Sequence, residues 1–224
     1  MNKKLIVISI TALIGFVVFA YFSTNKPQQT AFPEQAVVYT QEATGSGRLA
    51  DRTLGTGKHI MVEYSDLQCP ACKSLHDFMN QTKGTDPSFR KLMEEQYTLV
   101  YRHYPLIRIH KNAEIAARSA EAAGIQGKFY EFIDKAFTSQ ADWSGSDDGR
   151  EFFVALAKEL GLDTEKFVAD IDSAAVTDKI GADIKLAEQG GIQGTPTIFI
   201  DGQKIENFGT FDQLKQIIID LAKD

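Results

Sequence analysis

Cysteine is scarce in this chain: Cys69 and Cys72 are the two thiols among 224 residues. Two cysteines are too few for a disulfide scaffold, and no second pair completes a four-cysteine zinc site. Basic residues are outnumbered, 24 Lys and Arg against 30 Asp and Glu, for a net charge of -6. That balance offers no basic face to a phosphate backbone, which argues against nucleic acid as a partner. A glycine-rich phosphate loop is absent, as is the nucleophile elbow of Ser-His-Asp hydrolases. None of His59, His76, His103 and His110 has metal-ligand spacing with another, so surface or packing roles are expected for them. Asp147, Asp148 and Glu151 lack the alternating oxygen ligands of a calcium loop and suit a solvated helix start. Internal repeats are missing too. With 43% hydrophobic and 24% charged residues, a packed core is within reach and global disorder is not expected.

Long apolar runs are equally rare. The one that occurs, residues 5–22, follows Lys3 and Lys4. As a helix it reaches about 27 Å, close to a bilayer's hydrocarbon thickness. The lysines assign its N-terminal side to the cytoplasm and the remainder to the outside. Phe19, Tyr21 and Phe22 around Ala20 make a poor cleavage site. An uncleaved anchor over 1–22 is the expectation; cleavage further on, near Ala31, is the alternative. Either way the chain reaches a compartment where disulfides persist. Residues 23–57, with Pro27, Pro33 and Gly45-Ser46-Gly47, read as a polar tether with one short strand at 36–39.

The folded domain is expected over 58–224. Alternation predicts a strand over 59–65, followed by the cysteine pair and a helix to about residue 81. A second strand is predicted over 96–104. Apolar spacing of three and four makes 112–189 a helical block with breaks near 124–127, 143–149 and 161–163. Phe129, Tyr130, Phe132 and Phe137 form the core stripe of one of its helices, and Trp143 is expected to pack in the core or between subdomains rather than stack on substrate. A strand over 197–200 meets an Asp201-Gly202 hairpin turn and a return strand over 204–208. Thr210 and Gln213 form a capping box for a last helix to residue 221. Strand-helix-strand implies a parallel pair with a right-handed crossover, so the fold class is α/β with an inserted helical subdomain.

Chemistry concentrates at Cys69-Pro70-Ala71-Cys72. Pro70 suits the first helical position, where its missing N–H does no harm. Cys69 then lies beside the unpaired N–H groups of the first turn, which favour thiolate, the species that attacks disulfides. Cys72, three residues on, shares that face and can close or resolve a disulfide. Glu63 interrupts an apolar strand, opposite in alternation to Val62 and Tyr64. Buried near the cysteines it would gain a raised pKa and relay protons to Cys72; on an edge strand it would be an ordinary exposed carboxylate. Thr195-Pro196 precedes a strand, and a cis bond there would present the Thr195 backbone to an extended substrate. A trans turn is the default for that dipeptide, and the cysteine pair is what shifts the expectation.

The chain resembles DsbA-like members of the thioredoxin superfamily. The resemblance rests on Met61-Val62-Glu63-Tyr64-Ser65-Asp66, the Cys69-Pro70-Ala71-Cys72 motif with Lys73, Ala116-Ala117, Gln126-Gly127-Lys128-Phe129, and Gly191-Ile192-Gln193-Gly194-Thr195-Pro196-Thr197. It covers about 59–221. It implies a thioredoxin fold with a helical insertion and protein thiol-disulfide oxidoreductase activity. Cys69 would be the exposed nucleophile, Cys72 the buried resolving thiol, Glu63 the buried acid and Pro196 the cis-proline. Thr195, Pro70 and Ala71 would meet the substrate. It implies no dissociable cofactor, reduced or misoxidised exported proteins as substrates, and a membrane quinone-linked partner for reoxidation; with no separate dimerisation domain in the sequence, a monomer is expected. One departure stands out: strong oxidants of the family carry histidine where this chain has Ala71, so a less acidic Cys69 is expected here. That keeps a reductase or isomerase as the first alternative. A Cu(I)-carrying module is the second, weakened by the lack of a placed third ligand.

Overall fold

The computed structural model describes residues 35, 37–39 and 49–223. The chain divides into two units, Met1–Thr30 and Ala31–Asp224, and every described residue belongs to the second. The anchor expected at 5–22 lies outside the described residues, as does most of the tether. Among the described residues no helix is long and apolar enough to cross a membrane.

The second unit is built on a five-stranded sheet: β1 (Arg52–Leu54), β2 (His59–Ser65), β3 (Tyr97–His103), β4 (Thr197–Ile200) and β5 (Gln203–Lys204), in the order β1-β3-β2-β4-β5. The central strands β2 and β3 run parallel, as the strand-helix-strand order requires, with Glu63 opposite Tyr101. The outer pairings are antiparallel. The helices are α1 (Pro70–Thr85), α2 (Pro87–Gln96), α3 (Ala113–Ile125), α4 (Phe129–Thr138), the single turn α5 (Gln140–Trp143), α6 (Gly149–Glu159), α7 (Thr164–Ile171), α8 (Ala174–Gln189) and α9 (Phe211–Leu221).

Period-two alternation sorts β2 between the sheet faces. Met61 packs with Leu75 of α1, Phe89 and Met93 of α2, and Leu214 and Ile218 of α9. Val62 and Tyr64 pack on the other face with Val100, Phe199 and Leu186 of α8. The insertion has its own core, in which Phe132, Phe137, Trp143, Phe153 and Phe167 are fully buried. Trp143 donates its indole N–H to the Ala136 carbonyl at 2.8 Å and stacks edge-on against Phe153. The stripe of α4 and the packing role of Trp143 are thus as the sequence implied.

Four expectations need correction. The tether does not run to residue 57: Arg52–Leu54 is an edge strand on β3, and Asp51 is buried. Arg52 holds this segment by donating to Glu121 and to the Gly124 carbonyl. No strand forms at 37–39; Tyr39 instead pairs its backbone with Asp51. α1 runs on to Thr85, and the further helix α2 follows, its N–H groups capped by Asp86. The return strand is two residues long: after the Ile205 N–H bonds Ile198 the chain turns through Asn207 at φ 62 into the Thr210–Gln213 capping box of α9. The Asp201-Gly202 turn has both residues at positive φ, 49 and 78, the geometry of a type I′ hairpin.

A buried ionic network ties the insertion and the N-terminal segment to the sheet. Arg102 of β3, fully buried, donates to Asp51 at 2.9 Å, to the Val37 carbonyl at 2.6 Å and to the Tyr64 hydroxyl at 3.1 Å. Lys179 of α8 bonds Asp183 and lies 3.5 Å from Asp51. Burial pushes Glu121 up, but His103, Lys179 and Arg52 outweigh it and pull it down to about 2. A buried charge is tolerated only when paired in this way.

Candidate redox site

β2 ends at Ser65, and a short turn carries the chain into α1. Asp66, buried, fixes that turn: one carboxylate oxygen accepts from the Gln68 N–H at 2.8 Å, and the other accepts from the Leu106 N–H at 2.9 Å and meets His110 Nδ1 at 2.7 Å. The insertion grips the same turn. Gln140 donates to the Leu67 and Cys69 carbonyls, and Gln68 links the Asn112 N–H to the Ser144 carbonyl. Apart from Asp66, which closes the Met61–Asp66 motif, these residues carried no sequence signal beyond being polar; their roles depend on segments far apart in the chain.

Cys69 is the N-cap of α1, in extended conformation, with Pro70 at the start of the helix. Its Sγ lies 3.5 Å from the Thr195 carbonyl, and the Thr195–Pro196 bond is cis. The structure therefore brings Cys69, Cys72, Pro70, Ala71, Thr195 and Pro196 into one site from chain segments 126 residues apart. Pro70 and Ala71 are exposed beside it. Cys69 is not the exposed nucleophile the resemblance implied: it is 7% accessible, against 0% for Cys72. The Thr195 backbone and the insertion, held on its carbonyl by Gln140, cover it. It remains the more accessible of the pair.

The two thiols are driven apart electrostatically. The Cys72 side chain bonding the Cys69 sulfur, joined by the Cys72 and Ala71 N–H groups and the Thr195 hydroxyl, overcomes burial and brings Cys69 down to about 5. Burial pushes Cys72 far up, and the neighbouring Cys69 pushes it the same way, although the Asp66 N–H points at its sulfur from 3.5 Å. The split favours thiolate at Cys69 and thiol at Cys72. Thr195 Oγ1 is buried beside the pair and is one of the groups that favour that thiolate.

Glu63 shares the α1 side of the sheet with Met61. It opens into a cavity of about 170 Å³, walled by Met61, Phe137, His76, Lys83 and Asp134 among others, and is therefore half-buried. Desolvation raises its pKa, while the Ser65 hydroxyl and the Lys83 ammonium pull it back. Glu63 is no edge-strand carboxylate, since β2 is central. The histidines all meet carboxylates: His59 with Asp201, His76 with Asp134, His103 with Glu121 and His110 with Asp66. Among the described residues no group of three or more side chains is placed to hold a metal ion.

A thioredoxin-type sheet with a Cys-x-x-Cys pair at a helix N-terminus, set against the residue preceding a cis-proline, defines a thiol-disulfide oxidoreductase fold. The thioredoxin family matches residues 54–220: the chain belongs to that family, and its structural neighbours are of the DsbA type. A thioredoxin-like oxidoreductase from Silicibacter pomeroyi DSS-3 is 29% identical with TM-score 0.60, over 77% of this chain and 92% of its own. BdbD from Bacillus subtilis shares the fold at 22% identity and TM-score 0.62, over 87% of this chain and 99% of its own. Among curated proteins, a Na(+)/H(+) antiporter NhaA of Herminiimonas arsenicoxydans is 35% identical over 152 residues, 68% of this chain. The chain spans about a fifth, 22%, of that relative's length.

Proposed function

We propose that this protein is an extracytoplasmic thiol-disulfide oxidoreductase that donates its Cys69–Cys72 disulfide to exported proteins. The observation that carries the reading is the split between the two thiols: Cys69 is held near 5 while burial drives Cys72 far above the ordinary range. A stabilised Cys69 thiolate stabilises the reduced protein, and the disulfide becomes a better oxidant. A substrate thiolate attacks Cys69 Sγ, the Cys69–Cys72 bond breaks, and Cys72 departs with the electron pair and takes up a proton. A second substrate thiolate then attacks the mixed disulfide and releases Cys69 as thiolate. The substrate has lost two electrons and the enzyme has gained them. The apolar run 5–22 after Lys3 and Lys4 supports attachment to the cell membrane with the catalytic domain outside. Reoxidation by a membrane quinone-linked partner follows from the family resemblance.

One observation favours the reverse direction. Ala71, between the cysteines and exposed, gives the Cys69 thiolate no side-chain hydrogen bond or positive charge. Glutathione equilibration with trapping of both thiols decides between them. A potential near the oxidising end of the family range, about -120 mV, supports the donor; one near about -270 mV makes the protein a reductase or isomerase.

A further inference from the structure

In the proposed cycle Cys72 leaves as a thiolate in a site with 0% accessibility and must gain a proton without meeting solvent. Glu63, open to the cavity, is the acid, but it lies two residues before Ser65 on the same strand, and the redox helix begins beyond that serine. Glu63 and Ser65 share a sheet face by alternation. Tyr101 is the Cα partner of Glu63 across β3 and presents its phenol on that face. Ser65 and Tyr101 are both buried, at 0% and 5% exposure. Neither hydroxyl has a formed hydrogen bond among the described residues. Buried hydroxyls are ordinarily paired, so two adjacent unpaired ones call for an explanation. A further relation singles out Ser65: its hydroxyl sits within influence of Glu63, Tyr101 and Cys72 at once and lowers the pKa of all three.

We infer that the Ser65 hydroxyl is the proton relay between Glu63 and the Cys72 sulfur, with Tyr101 as the positioning residue that holds the serine rotor between them. As the Cys69–Cys72 bond breaks, Ser65 O–H donates its proton to Cys72 Sγ and accepts one from the Glu63 carboxylic acid. Glu63 is left as carboxylate and is reprotonated from solvent through the cavity. In reoxidation the same atoms run in reverse, and Cys72–SH loses its proton through Ser65 to Glu63. A hydroxyl is both donor and acceptor and rotates freely, so an unpaired serine can face either side in turn. The titratable and charged groups that line the cavity with the carboxyl are Lys83 and His76 of α1, Tyr101 of β3, and Tyr130 and Asp134 of α4. This inference rests on the oxidoreductase reading and assigns that site's proton path.

The test uses the full-length protein in detergent, oxidised, in single-turnover reduction by excess dithiothreitol from pH 5 to 9. Acid quench and thiol trapping follow the release of Cys72. Ser65→Ala is expected to slow this step on the order of 100-fold at pH 7, the low end for a positioned proton donor. It should leave the Cys69 thiolate titration at 240 nm where it was. Its thermal midpoint should equal or exceed that of the parent, because the change removes an unpaired buried hydroxyl. Ser65→Thr, which restores the hydroxyl, should recover most of the rate. Tyr101→Phe, which keeps the ring against Phe129, should slow the step to a smaller extent. A Ser65→Ala rate within twofold of the parent across the pH range, with Glu63→Gln slow, overturns the relay and leaves Glu63 as a donor that acts without it. Both variants at the parental rate would remove Glu63 from the path as well. A parent protein that exchanges no disulfide would overturn the oxidoreductase reading and the relay with it.

Discussion

The acidity of Cys69 has a measurable signature, and its magnitude decides where to look. With a pKa of about 5, Cys69 is about 99% thiolate at pH 7, against about 3% for an ordinary cysteine near 8.5. Nucleophilicity falls with pKa at a Brønsted slope of roughly 0.45, so the drop from 8.5 to 5 lowers intrinsic reactivity about 40-fold. The roughly 30-fold gain in thiolate and the roughly 40-fold loss in nucleophilicity nearly cancel, and the rate at neutral pH says little. At pH 5 the comparison changes. Half of Cys69 is thiolate, against about 0.03% of the ordinary thiol, and the net advantage is roughly 40-fold. Reaction of the reduced protein with an aromatic disulfide, beside a cysteine peptide, should show equal rates at pH 7 and this gap at pH 5. Cys72→Ala removes the largest contributor to the shift and should move the inflection from about 5 toward 8.5. The stability linkage has a definite sign. Cys69's value in the fold lies below its unfolded value, so the reduced protein carries the full stabilisation above about pH 9 and loses it as pH falls through about 5. The oxidised protein lacks this group, so its unfolding should not follow that trend. A rate that climbs steadily to pH 8.5 with no advantage at pH 5 would refute the reasoning.

Three further perturbations separate the parts of the structure. Ala71→His places a hydrogen-bonding, potentially cationic side chain beside the Cys69 thiolate; the titration at 240 nm should move below that of the parent and the disulfide should become more oxidising, by about 30 mV for each tenfold in the glutathione equilibrium. Lys83→Met removes a charge that holds Glu63 down, so the carboxyl stretch of protonated Glu63, read by infrared difference against Glu63→Gln, should persist to higher pH than in the parent. Arg102→Met leaves Asp51 buried without its guanidinium partner and should cost about 3–5 kcal/mol in urea unfolding, while the Cys69 titration stays unchanged; an equal stability would mean that the N-terminal segment is not held by this network.

Much of the site was legible because it is written locally. A strand, a turn and a proline-started helix place Cys69 and Cys72 by short-range rules, and the period of two assigns Glu63 to the face opposite Val62 and Tyr64. The Asp201-Gly202 turn and the Thr210–Gln213 capping box are equally local and formed as expected. β1 was not legible: three residues, Arg52–Leu54, have too short a pattern to register, and what makes them a strand is the edge of β3 and the Arg52–Glu121 pair 69 residues away. The low accessibility of Cys69 was not legible for the same reason, since Gln140 and Thr195 reach it from distant segments. The sequence by itself determined which residues make up the candidate redox pair and their order along the chain, because helix and strand periodicity act over a few residues. Tertiary structure alone decided their ionisation and connection. Desolvation of Cys72, the cavity beside Glu63 and the unpaired Ser65 hydroxyl all arise from what packs around a group, and a linear pattern does not encode the distance between β2, β3 and the redox helix.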